Sequence, residues 1–403
     1  MEEFKTYTLE ELSLNKGTYG IAASAVPYDD SKLTYLRITD INDDGTLNTQ
    51  SLMSVDEPNA SDYLLKKNDI VFARTGNSTG RTYFYQGNEC PLVYAGFLIK
   101  FSIDEKKVNP LLLKYYTHSR IYYDWVKSFD TGGTRGNINA KTYGNMPIRI
   151  PASRKTQDKI VDILSSLDEK IALNRRINDN LEQQAQALFK SWFVDFEPFK
   201  EGKFVDSEMG MIPEGWKVGR LCDFAIITMG QSPSGDSYNE NKEGMVFYQG
   251  RSEFGNRFPS IKLYTTDPNR IAEKNSILIS VRAPVGDINI ASQDCCIGRG
   301  LASIKARGNY NSFLYYTVKS MKKEFDVYNG EGTVFGSINK DSLNSMLVII
   351  PTTEEISNFE KITSVLDYNY EKCHRENIIL TSLRDNLLPR LMSGELKIND
   401  LNC

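Results

Sequence analysis

Residues 138–151 read INAKTYGNMPIRIP, and residues 338–351 read INKDSLNSMLVIIP. The Ile-Asn and Ile-Pro pairs that bracket these stretches sit at one constant offset of 200 residues, and Tyr115-Tyr116-Thr117 recurs at the same offset as Tyr315-Tyr316-Thr317. Register kept over that distance marks a duplicated unit, and an internal repeat decides the architecture before any local reading does. Working outward, Asn68-Asp69-Ile70-Val71-Phe72 parallels Asn275-Ser276-Ile277-Leu278-Ile279, and Phe4 with Leu9 has the spacing of Trp216 with Leu221. The offset drifts to 207 and then 212 in these earlier matches, so loops differ in length within a shared frame. Two copies of one fold that present different surfaces are therefore expected.

Each copy opens with about 150 residues in which short apolar runs (69–73, 97–101, 277–281) alternate with Gly, Asn and Ser clusters. One Tyr-rich, helix-like segment follows in each, at 110–126 and 312–325. Strand-sized runs between turn residues, with a helix of different period, indicate a mixed α/β domain. After Pro151 and Pro351 the pattern turns helical, and Thr352 followed by Glu355 forms a capping box.

Ile160, Leu164, Leu167, Ile171, Asn174, Asn178, Leu181, Ala185, Leu188 and Trp192 step by four and three, the seam of a coiled coil. The second copy repeats it at an offset of 199, from Phe359 to Leu391. The expected fold is α+β: two similar mixed α/β domains joined by two long antiparallel coiled-coil helices, with a pseudo-twofold internal repeat. The segments are 1–150, a first helix in 151–199, 200–350, and a second helix in 351–403. Asn178 and Asn377 occupy equivalent seam positions, and a polar residue there specifies register at some cost in stability. They are the expected register pair. Pro389 is expected to end or kink the second helix and Gly394 to stop it.

The composition, with 40% hydrophobic and 25% charged residues, is that of a folded chain. No run approaches the roughly 18 apolar residues of a membrane-spanning helix, and the start lacks a signal pattern, so a cytoplasmic location is expected. The net charge of −4 argues against binding nucleic acid by bulk charge, so any such contact must use local clusters. Six cysteines without a Cys-x-x-Cys pair, and only His118 and His374, make neither a disulfide framework nor a metal site.

No catalytic constellation emerges. The glycine-rich run from Gly230 to Gly235 is followed by Asp236 and Ser237 where a phosphate loop needs Lys, and an acid there repels the ligand. Gly298-Arg299-Gly300 lacks the third glycine of a dinucleotide turn and reads as a tight turn before a strand. Vicinal Cys295 and Cys296 should point to opposite strand faces, one thiol buried and one exposed.

At this point the chain resembles the specificity subunits of type I restriction-modification systems over essentially its whole length. Ile212-Pro213-Glu214-Gly215-Trp216 looks like the family's domain start, followed by Gly230-Gln231-Ser232-Pro233-Ser234 in place of its G-x-T-P-S. Asn68 through Arg74 and Asn275 through Gly286 look like its central strand and turn. Gly133-Thr134 with Gly136-Asn137-Ile138-Asn139, and Gly332-Thr333 with Gly336-Ser337-Ile338-Asn339, are similar to the segment before its helix. The first domain departs from the pattern, with Phe4 at the Trp position. The resemblance implies two target-recognition domains, each reading half of a split site in double-stranded DNA, and helices that dock two modification subunits. It places S-adenosylmethionine on those subunits, and ATP and Mg with the restriction subunits that translocate and cut. This chain would hold no cofactor and do no catalysis, and indeed it has no N-P-P-F-like loop.

Base edges are read by Arg, Lys, Asn and Gln, and phosphates by any basic or hydroxyl group, so contacts should lie in turns beside the strands. In the first domain these are Arg37, Arg74, Asn77, Thr79, Arg81, Arg135 and Lys141, centred on the basic, glycine-hinged run 74–81. In the second they are Gln249, Arg251, Arg257, Arg282 and Lys340. Two other readings remain at this level, a self-contained restriction enzyme or nuclease with a similar recognition region, and a coiled-coil adaptor that does not bind DNA.

Overall fold

The computed structural model describes residues 3–87, 90–129, 136–329 and 336–396. It divides into two compact units, Met1–Asn174 with Arg375–Cys403, and Arg175–His374.

The first unit contains two four-stranded sheets. One has the order Thr18–Tyr19, Leu98–Ser102, Asp69–Ala73, Thr82–Tyr85, and the other Ala25–Val26, Met53–Val55, Leu33–Leu36, Leu92–Tyr94. In the second sheet Leu33–Leu36 runs parallel to Leu92–Tyr94. Asp69–Ala73 is buried at all five positions, which explains why the four residues after Asp69 are all apolar. Ile70 and Phe72 enter one core while Val71 and Ala73 enter another, as the two-residue period of a strand requires. Asp69 is tolerated inside because it accepts from Ser102 Oγ (2.6 Å) and Lys66 N (2.8 Å) and lies 3.4 Å from Lys100 Nζ.

The second unit repeats the plan. Ala225–Met229, Leu301–Ala306, Ile277–Ser280 and Ile288–Ile290 form its four-stranded sheet. A five-stranded sheet again contains one parallel pair, Met245–Tyr248 with Cys295–Ile297. Ile277 and Ile279 face one core and Leu278 another. The repeat extends to backbone conformation. Asn68 (φ 70°) and Asn275 (φ 66°) each enter the central strand in the left-handed region, which Asn tolerates better than most residues. Phe4 does stand at the tryptophan position, since Phe4–Thr8 pairs with Pro147–Pro151 as Lys217–Arg220 pairs with Leu347–Ile350.

The long helices are Arg154–Phe193 and Thr353–Ser393, of 40 and 41 residues, each about 60 Å at 1.5 Å per residue. Thr352 and Glu355 form the expected reciprocal cap (Thr352 N to Glu355 Oε2 3.0 Å; Glu355 N to Thr352 Oγ1 3.4 Å). Every expected seam residue of both helices is buried or half-buried. The pairing is antiparallel within each unit. In the first, Asn174 meets Asn377 and Asp168 meets Arg384; in the second, Phe189 and Trp192 pack on Phe359.

Several local expectations need correction. Asn377 finds its partner in Asn174, whose Nδ2 donates to Asn377 Oδ1 (3.0 Å) and Glu376 Oε2 (2.8 Å). Asn178 is 7% exposed, and its Oδ1 has no hydrogen-bond partner among the described residues. The helix does not end at Pro389 but runs on to Ser393, at the cost of one backbone hydrogen bond to the preceding turn, and Gly394 (φ 78°) stops it as expected. The Tyr-rich segment at 110–126 breaks into Pro110–Tyr116 and Arg120–Lys127, where Ser119 caps the second piece. Cys295 and Cys296 are both fully buried, since their strand is covered on each face.

Candidate nucleic-acid interface

In the first unit the central strand delivers the chain into residues 74–81, which return as strand Thr82–Tyr85. Arg74 N donates to Phe97 O (3.1 Å), Ile138 N donates to Arg74 O (3.0 Å), and Gly80 N closes the loop on Ala73 O (3.0 Å). Tyr122 Oη donates to Gly80 O at 2.7 Å, and Tyr143 Oη to Ala73 O at 3.0 Å. Gly80 has φ 87°, and a Cβ there would meet Val126 Cγ1 at 2.6 Å, so the hinge is a packing requirement. The loop is a braced platform.

Its side chains have unequal freedom. The Arg74 guanidinium lies over the Tyr19 ring (5.1 Å) and near the Phe97 ring (5.8 Å). Arg81 is ion-paired with Asp43 (2.7 Å) and donates to Ile41 O (3.2 Å). Asn77 is exposed, whereas Thr79 Oγ1 is engaged within the loop, donating to Gly76 O (2.8 Å). Lys141 is exposed on the short helix Ala140–Gly144, capped by Asn139. Arg37 is held by Asp40 (2.9 and 2.6 Å) and Ser51 O (2.7 Å), and Asp40 is fully buried. Arg37 thus neutralises an internal carboxylate. Arg135 lies outside the described residues.

In the second unit the equivalent turn lies between Ile277–Ser280 and Ile288–Ile290. The hydrogen bonds recur, Val281 N to Gly300 O (3.0 Å) and Ile338 N to Val281 O (3.1 Å). Arg282 is exposed there, as are Gln249 beyond strand Met245–Tyr248 and Lys340 on the helix capped by Asn339. Arg251 is exposed but ion-paired with Asp287.

Arg257 is a correction. It is 4% exposed and bridges Glu182 (3.0 Å) and Asp367 of the long helices (2.5 Å), with Tyr315 and Tyr370 rings at 4.7 and 4.8 Å. A cation enclosed by two carboxylates and two rings cannot reach a base edge. Burial would raise the Glu182 carboxyl, but Arg257 and Lys319 outweigh it and hold the group below its ordinary range.

Nearby Glu360 goes the other way, pushed up to about 7 by burial despite the hydrogen bond from Phe313 N (2.8 Å). A raised carboxyl favours the folded state when protonated. Its contribution is fully present below the unfolded value and lost as pH rises through about 7. Glu360→Gln removes that titration. Relative to wild type the variant should gain roughly 1–3 kcal/mol between pH 4.5 and 8, read as the difference between urea-denaturation curves at the two pH values.

Tyr19 and Phe97, 42% and 55% exposed, join the platform without having been legible as surface residues. Phe97 reads as the start of a buried strand, and only the pairing of Thr18–Tyr19 with Leu98–Ser102 brings Tyr19 beside Arg74. The glycine-rich run at 230 is explained too. A Cβ on Gly230 would lie 2.2 Å from Gly298 O, and one on Gly20 in the first unit 2.2 Å from Tyr94 O, so both serve close backbone approach. Among the described residues no group of His, Cys, Asp and Glu could hold a metal, and no helix is long and apolar enough to cross a membrane.

A family model of the type I restriction modification DNA specificity domain matches residues 1–183 and again 213–380. The chain belongs to that family. A Methanocaldococcus jannaschii chain, provisionally named the type I restriction enzyme MjaX specificity subunit, is 32% identical over 346 residues, covering 83% of this chain and 80% of its own. The type I restriction enzyme HindI specificity subunit of Haemophilus influenzae is 26% identical, covering 98% of this chain and all of its own. In fold, the crystal structure of a type I restriction-modification S subunit from M. genitalium aligns with a TM-score of 0.58 at 16% identity, over 97% and 96% of the two chains. The chain is accordingly a DNA target-recognition subunit of a type I system, and methylation and cleavage belong to partner subunits. Membership implies assembly with DNA and with methylase and restriction subunits.

Proposed function

We propose that this specificity chain reads a bipartite site in double-stranded DNA, with residues 1–150 reading one half and residues 200–350 the other. The observation that carries this reading is the duplicated central strand and turn. The same hydrogen-bond frame holds residues 74–81 in one unit and 281–287 in the other, yet the side chains it presents differ. A shared frame with different exposed polar residues is what two unlike half-sites require. Arg74, Asn77, Thr79, Arg81 and Lys141 serve the first half; Gln249, Arg251, Arg282 and Lys340 serve the second. Arg135 belongs with the first set by its place in the chain.

The long helices set the spacing between half-sites and dock two modification subunits. Supporting the docking are apolar side chains left in solvent on them, Leu173, Ile378, Ile379 and Leu383 in the first unit and Ile362, Val365 and Tyr368 in the second. S-adenosylmethionine sits on the modification subunits, ATP and Mg on the restriction subunits, and the assembly works in the cytoplasm.

The test is sequencing of methylated sites in cells that carry this chain with its methylase subunits. Exchanging residues 1–150 for those of another family member should replace one half of the motif and leave the other half and the spacer unchanged. Exchanging the helical segments 151–199 and 351–403 should alter the spacer alone. A domain exchange that changes both halves, or neither, overturns the reading.

A further inference from the structure

We propose that Arg74, held beside the rings of Tyr19 and Phe97, reads a guanine in the half-site of the first domain, and that the second domain has no equivalent device. The inference rests on the bipartite reading above and adds to it a base, a residue and an asymmetry.

Arg37, Arg81, Arg251 and Arg257 each meet a carboxylate, whereas Arg74 has no ion pair among the described residues. Its Nε is buried and has no hydrogen-bond partner there. What holds it is a backbone pinned on both sides, by Phe97 O at 3.1 Å and Ile138 N at 3.0 Å, and aromatic rings at 5.1 and 5.8 Å. Tyr19 is in turn fixed by Ala140 N, which donates to its Oη at 3.1 Å. A guanidinium is planar, so aromatic rings beside it restrict its rotation, and among the described residues no acceptor meets its N–H groups. An oriented edge without an acceptor suits a ligand that offers two acceptors in one plane. The O6 and N7 atoms of guanine in the major groove do so, and no other base shows that pair. Tyr19 and Phe97 are positioning residues, and their exposure gives the clamp an apolar rim.

The second domain shows what the clamp is not. By matching hydrogen bonds, Arg74 corresponds to Val281, Phe97 to Gly300 and, through Gly20 and Gly230, Tyr19 to Met229. The frame is kept without the clamp, so the clamp is not a requirement of the fold.

The experiment uses the full chain assembled with its methylase subunits and a duplex library randomised at the methylated motif, scored by sequencing of bound DNA. The wild-type complex should select one invariant guanine in the first domain's half-site. Arg74→Ala should cut discrimination at that base pair on the order of 10- to 100-fold and leave the other half-site unchanged. Phe97→Ala should weaken it in the same position, more mildly, because the guanidinium is kept but less ordered. Selection of the second half-site reports that each variant is folded. Arg74→Lys separates the remaining source of paired acceptors, a backbone phosphate. If Arg74→Ala lowers binding equally for all sequences and Arg74→Lys restores that affinity, the guanine assignment fails and a phosphate contact replaces it. Unchanged selection in both Arg74→Ala and Phe97→Ala also overturns it. A wild-type complex that selects no bipartite motif would sink the underlying reading instead.

Discussion

Arg257→Ala is expected to destabilise the unit Arg175–His374 by about 3–5 kcal/mol, the range for removing one partner of a buried ion pair. The side chains of Arg257, Glu182 and Asp367 are only 3%, 16% and 23% exposed, so truncation strands two carboxylates with little water to receive them. Glu182 would keep Lys319 (2.5 Å), and Asp367 would keep Ser312 Oγ (2.5 Å), which is why the loss should stop short of unfolding. The measurement is urea denaturation followed by tryptophan fluorescence, with Trp192 and Trp216 in this unit and Trp125 in the other. A midpoint within error of wild type, together with lost DNA binding, would show that Arg257 acts at the DNA after all. Arg37→Ala is likewise expected to act on stability, because it leaves the fully buried Asp40 without its ion pair.

Gly230→Ala should cost at least about 2–3 kcal/mol, again in the second unit alone. The added methyl would sit 2.2 Å from Gly298 O and 2.8 Å from Leu301 O, both backbone atoms in paired or turn segments that cannot swing aside. Gly235→Ala, five residues on, has nothing within 4 Å of its Cβ and should be neutral. The pair separates two explanations of one glycine-rich run. Close backbone approach predicts an effect at Gly230 only, seen as a second, earlier unfolding transition by calorimetry. A phosphate-binding loop predicts that nucleotide stabilises wild type and that both substitutions abolish it. A single transition at the wild-type temperature in Gly230→Ala would refute the packing account.

The architecture was legible in the order of residues alone. The constant offset of the repeat, the four-and-three spacing of the seam and the apolar runs at 70–73 and 277–279 are local regularities, and each reappears as burial in the expected place. They were legible because helix and strand periods write themselves into neighbouring residues. Family membership was legible for the same reason, being carried by short motifs in a fixed order.

Tertiary structure alone decided which cations are available. Arg257 and Arg282 look equally suited to DNA in a sequence, yet Arg257 meets carboxylates 75 and 110 residues away while Arg282 stays in solvent. Likewise Asn377 takes Asn174 as its partner, and Tyr19 and Phe97 become the walls around Arg74 only through strand pairing across some eighty residues. No local pattern encodes such meetings. The charge of a side chain is a property of the residue, but its freedom to meet a ligand depends on what the folded chain has already placed against it.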